Sequence, residues 1–238
     1  ENCENSKNCE NSKNYENCEI IENIQNKETK FLKYTGDLIK LEEIQKLEEL
    51  KSLKANGNFS NVRFLNLTKD LVNRIENVTG KCIENVIVEK TIINNEDYSF
   101  KSSDMFEREV KCLKILFGLE HFPLLLCVDY ENKIIYMNYC GSSINEENIP
   151  INWKEQVDQI LNSLEQNKIF NNDFWANNLL VHKNILQVID FGFGSQIKEE
   201  FPFVNLNKNM VNDSIDLLEL LDNAMTNSIE KRLSTYIE

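Results

Sequence analysis

Apolar and polar positions divide the chain into three textures. Over residues 1–27 large apolar side chains are sparse, and the unit Cys-Glu-Asn-Ser-Lys-Asn repeats at 3–8 and 9–14. Such a stretch buries too little surface to offset the entropy of ordering, so a disordered or weakly helical tail is predicted over residues 1–30. From 37 to 54, Leu38, Leu41, Ile44, Leu47, Leu50 and Leu53 recur every third residue, which predicts a helix whose apolar stripe drifts around its surface. Beyond residue 60, runs rich in Val, Ile and Leu at 83–88, 124–128 and 134–137 predict strands. Met105 to Leu119 carries Phe106, Val110, Leu113 and Leu116 at helical spacing, and Trp153 to Gln166 does the same with Val157, Ile160, Leu161 and Leu164. Strands at 179–182 and 185–190 flank a Lys183-Asn184 turn, and a last helix is predicted over 213–225. Strands come mostly first and helices mostly later, which indicates an α+β protein in two lobes.

Composition narrows the function classes. With 41% apolar and 27% charged residues the chain reads as an ordinary globular protein. No apolar run approaches the length of a membrane span, and no basic segment leads into an apolar one at the start, so neither a membrane span nor a secretory signal is predicted. A net charge of -13 argues against a nucleic-acid surface, while leaving room for a local phosphate pocket. Seven cysteines with no Cys-x-x-Cys pair read as free thiols in a reducing, cytoplasmic compartment.

The decisive chemistry lies in Asn171-Asn172-Asp173-Phe174-Trp175-Ala176-Asn177-Asn178, followed after an apolar strand by Asp190-Phe191-Gly192. Mg²⁺ takes hard oxygen ligands and is usually held by one or two carboxylates together with substrate phosphates. Asp190 offers a carboxylate and Asn178 an amide oxygen, which leaves Asp173 free to orient an attacking hydroxyl and accept its proton.

These two motifs at this spacing resemble the catalytic loop and metal-binding motif of the protein-kinase superfamily. The resemblance implies a bilobal kinase-like fold, with a β-rich N-lobe at about 45–137, a hinge at about 138–142 and a shortened helical C-lobe over 143–238. It implies ATP and Mg²⁺ as cofactors. Met105 to Leu116 is similar to the family's helix αC, with Glu109 as the ion-pairing glutamate, and Val86-Ile87-Val88-Glu89-Lys90 resembles the third strand, with Lys90 on the phosphates. Strand alternation sets Val88, an adenine wall, on the same face as Lys90. A solvated lysine at a strand end is the alternative. Ala55-Asn56-Gly57-Asn58-Phe59-Ser60-Asn61-Val62 resembles the glycine-rich loop, with Ala55 and Ser60 where glycines are usual, although an ordinary Asn-Gly turn fits the same residues. Tyr136-Met137-Asn138-Tyr139-Cys140-Gly141 resembles the hinge, with Met137 at the rear of the pocket and backbone groups near Asn138 and Cys140 facing adenine. The stretch between Val62 and Lys90 is longer than the family's, which predicts an insertion.

Three departures qualify the match. Asn171 and Asn172 replace His-Arg, removing the partner of a phosphorylated activation loop. Trp175 stands where many protein kinases carry a lysine. The stretch after Asp-Phe-Gly is short, with Asp213 and Asp216 both candidates for the aspartate that braces the catalytic loop. The layout resembles minimal atypical and lipopolysaccharide-kinase-like enzymes. The expected activity is phosphotransfer to a protein Ser/Thr or a small-molecule or sugar hydroxyl; a pseudokinase scaffold is the alternative.

Overall fold

The computed structural model describes residues 18–21, 31–56, 59–93, 102–145, 147–174 and 176–196. Gly57, Trp175 and the helix expected at 213–225, with Asp213 and Asp216, lie outside these residues, as does most of the repetitive tail.

The N-terminal lobe is built on a five-stranded antiparallel sheet of β3 (Glu49–Asn56), β4 (Ser60–Asn66), β5 (Val86–Ile92), β6 (Leu125–Asp129) and β7 (Ile134–Asn138), in the order β3-β4-β5-β7-β6. β6 is buried along its whole length, and β5 alternates between buried and half-buried positions over most of its own. Before the sheet, β1 (Cys18–Ile21) pairs with β2 (Phe31–Tyr34), a strand where the sequence pattern predicts none. Tyr34 meets Phe117 edge-on at 5.4 Å, which ties β2 to the segment after α3 (Ser102–Ile115).

The long helix expected over 37–54 does not form. α1 covers only Leu41–Ile44, and the chain then extends into β3. A strict three-residue spacing rotates away from any single helix face, while β4 offers β3 an antiparallel partner, with Lys54, Ala55 and Asn56 opposite Arg63, Val62 and Asn61 beyond a register shift after Glu49. Pairing of this kind overrides local helix propensity.

The predicted insertion between the second and third strands of the sheet contains a helix, α2 (Lys69–Thr79). Thr68 caps it by accepting the Leu71 N–H, and Gly80, at φ +67, ends it with an N–H to Glu76 O. Leu71, Ile75 and Thr79, four residues apart, form its buried stripe. Arg74 anchors it with a two-pronged bond to Glu43 of α1, at 2.7 and 2.9 Å.

After β7 come β8 (Ser142–Ser143), α4 (Trp153–Gln166), a 3-10 turn at Ala176–Asn178, β9 (Leu179–His182) and β10 (Ile185–Val188). α4 buries Val157, Ile160, Leu161 and Leu164, as its spacing predicts. β9 and β10 form the predicted hairpin, turning through Lys183 and Asn184 at φ +49 and +67. Such left-handed pairs match the twist of the flanking strands. The whole is an α+β architecture, a β-rich lobe followed by a helix-led one, consistent with a kinase-like bilobal fold. Among the described residues no helix is long and apolar enough to cross a membrane. Cys82, Cys112, Cys127 and Cys140 are unpaired thiols.

Candidate functional site

Register places most of the predicted nucleotide-side residues on one face of the sheet. Val62 lies opposite Lys90, Ser60 opposite Ile92, and Val88 opposite Met137, and residues two apart on β5 share a face. Ala55 lies opposite Val62 in the β3–β4 register. Phe59, just before β4, meets Phe193 edge-on at 5.8 Å, which brings the start of β4 to the segment after Asp190-Phe191-Gly192.

Glu109 sits in the apolar stripe of α3 among Met105, Cys112 and Leu113, and is 1% exposed. A carboxylate so buried needs a partner. Lys90 supplies it, with Nζ 2.8 and 2.7 Å from the two carboxylate oxygens. The same Nζ reaches Asp190 Oδ1 at 3.0 Å. Burial works to strip Lys90 of its proton, but Asp190 and Glu109 outweigh it and hold the ammonium well above its ordinary range. One cation therefore joins β5, α3 and the Asp-Phe-Gly turn.

Asp190 takes φ +62, a strained setting for a non-glycine residue. Two things impose it: Phe191 is fully buried, tilted against Phe122 at 6.1 Å, and the Gly192 N–H turns toward Asp190 Oδ1 at 3.4 Å. A Cβ on Gly192 would come within 3.1 Å of Met105 Cε, so glycine lets α3 pack closely here. The Asp190 side chain remains 36% exposed, accessible to a ligand.

In the preceding loop, Asn178 Nδ2 donates to Asp173 O at 2.9 Å and to Asp173 Oδ2 at 2.8 Å. With its nitrogen so committed, the Asn178 amide keeps its oxygen for another partner. Ile189 N–H donates to Asn178 O at 3.0 Å, which couples this loop to the strand leading into Asp190. Asp173 N–H donates to Asn171 Oδ1 at 3.0 Å. Burial, helped by the neighbouring Asp190 charge, pushes the Asp173 carboxyl up to about 6, against the bond from Asn178 and the Lys90 charge. That value suits a group that accepts a proton near neutral pH.

Among the described residues no group of three or more His, Cys, Asp or Glu could hold a metal ion by itself. Asp190 and Asn178 offer one carboxylate and one amide oxygen. This hard, incomplete set fits Mg²⁺, which keeps waters and shares phosphate oxygens.

The hinge residues are partly committed to the sheet. Asn138 N–H donates to Leu124 O at 3.1 Å, its side chain bonds Leu124 N–H and Tyr139 O, and Tyr139 N–H donates to Val86 O at 3.3 Å. The Cys140 backbone stays outside these bonds. Burial pushes the Cys140 thiol up to about 12, so it is a neutral wall rather than a nucleophile. Gly141, at φ +102, lies so close to β9 that a Cβ would sit 2.0 Å from Val181 O.

Three features of the site are not legible in the motifs: the Phe59–Phe193 contact, the Asn171 bond to Asp173 N–H, and the bonds from Asn172 to the chain after Gly192. The local signal for the last two is the unusual Asn171-Asn172 pair itself.

No family model and no curated protein matches the chain. Among solved structures it is similar to a chain of the CAK complex from Chaetomium thermophilum bound to ATP-gamma-S, at 17% identity and a TM-score of 0.48. The match covers 67% of this chain and 50% of that one, so the chain spans about half the length of the solved chain.

Proposed function

We propose that this chain transfers the γ-phosphate of Mg-ATP to a hydroxyl acceptor. The observation that carries the reading is the Lys90 ammonium held between Glu109 and Asp190, beside an Asp173 joined to Asn178. In this reading the face carrying Val62, Val88 and Met137 receives adenine, and Lys90, steadied by Glu109, grips the phosphates. Asn178 and Asp190 would hold Mg²⁺, which supplies neutralising charge on the phosphate oxygens. The acceptor oxygen bonds to the γ-phosphorus as the bond to the β-γ bridging oxygen breaks, ADP leaves, and the hydroxyl proton passes to Asp173. Positioning and charge supply the catalysis. The acceptor proposed is a protein Ser or Thr, as the family resemblance implies.

The test is ATP turnover in excess Mg²⁺, for the wild type and Asp173→Asn, with a peptide library carrying Ser and Thr and with simple sugars as separate acceptors. Turnover in the wild type that collapses in the variant supports the reading. Nucleotide binding with no turnover in either would make the chain a scaffold, and labelling of sugars but not peptides would reassign the acceptor.

A further inference from the structure

Asn172 takes φ +60, a left-handed setting that asparagine tolerates better than other side chains because it can bond locally. From there its Nδ2 donates to Phe193 O at 2.8 Å, and at 3.3 Å it reaches Phe170 O and Ser195 Oγ. Beside this amide, Phe170 and Ser195 exchange both backbone bonds, at 2.8 and 2.9 Å, as an isolated antiparallel bridge. The chain leading into Asp173 is thereby stitched to the chain leaving Asp190-Phe191-Gly192. On the neighbouring residue, Asn171 Oδ1 holds the Asp173 N–H. Every group in this stitch is neutral, so it needs no phosphate and no cation to close it.

We propose that Asn172 is a positioning residue whose carboxamide fixes the loop bearing Asp173 against the loop bearing Asp190 without any phosphorylation. The proposal rests on the phosphotransfer reading above. Asn172 touches no reacting atom; it acts through Asp173 and Asp190, and a loss of the clamp changes the alignment of base and metal ligand more than the binding of nucleotide.

The test uses the full chain with Asn172→Gly, which keeps the left-handed backbone free of strain, and Asn172→Asp, which keeps the shape but cannot donate to Phe193 O. Both variants are expected to lose kcat by about tenfold or more, with KM for ATP within about threefold of wild type. Amide exchange at Phe170 and Ser195 is expected to quicken by about tenfold in the glycine variant. Wild type treated with phosphatase is expected to keep its kcat. A glycine variant with wild-type kcat, a fall in kcat matched by a rise in KM, or a wild type silenced by phosphatase each overturns the proposal. A wild type without any turnover removes the phosphotransfer reading but leaves the clamp to be judged by exchange. Quickened amides in Asn172→Gly then support it, and unchanged amides overturn it.

Discussion

Replacing Asp173 by Asn should stabilise the fold at the pH where it abolishes turnover. Burial and the Asp190 charge raise the Asp173 carboxyl from 3.8 to about 6, so the folded state holds that proton more tightly than the unfolded chain does. Stability from this group is therefore fully present below about pH 4 and lost as pH rises through about 6. A shift of about two units corresponds to about 3 kcal/mol at most above that window. Asparagine removes the charge yet can still accept the Asn178 Nδ2 bond and donate its own N–H to Asn171 Oδ1. Urea unfolding in the presence of a chelator, at intervals from pH 4 to 8, measures the effect. The variant should gain up to about 3 kcal/mol at pH 8, and the gap should close toward pH 4. A gap that stays constant with pH, or a wild type more stable at pH 8, refutes the reasoning.

In the proposed reaction the same group should set the pH dependence of turnover: kcat/KM should fall about tenfold per unit below about pH 6, where Asp173 is protonated, and flatten above it in a rate profile. Lys90→Met leaves Glu109 buried without its cation, so it should cost about 3–5 kcal/mol in chemical denaturation as well as weaken ATP binding in calorimetry. Gly141→Ala forces a Cβ against Val181 O at a positive φ and should cost more than about 3 kcal/mol, read as a lower Tm.

Sequence and structure agree best where the signal is local and doubly determined. The β9–β10 hairpin has both apolar runs and a Lys183-Asn184 turn that accepts positive φ. α4 shows an uninterrupted helical stripe and forms where the spacing places it. Glu109 stands out as an acid inside an apolar stripe, and its nineteen-residue separation from Lys90 closes into a direct contact. β3 was illegible because its leucines mimic a helix and its extended form comes from pairing with β4. α2 lay in what reads only as an insertion, although the Thr68 cap, the Leu71 and Ile75 spacing and the Gly80 stop are all local signals. The Asn172 bonds depend on a left-handed backbone and on a segment some twenty residues away in sequence, and neither leaves a mark in residue spacing.

In the proposed function Asp190, placed by Lys90 and Phe191, would hold the Mg²⁺ that neutralises the phosphates of ATP. Its most direct test follows label from γ-labelled ATP into acceptor or water, over a Mg²⁺ titration, for the wild type and Asp190→Ala. The account predicts transfer that rises with Mg²⁺ in the wild type, ceases with chelator, and is lost in the variant while its far-UV circular dichroism is unchanged. Transfer by Asp190→Ala at the wild-type rate and with the same Mg²⁺ dependence would contradict it.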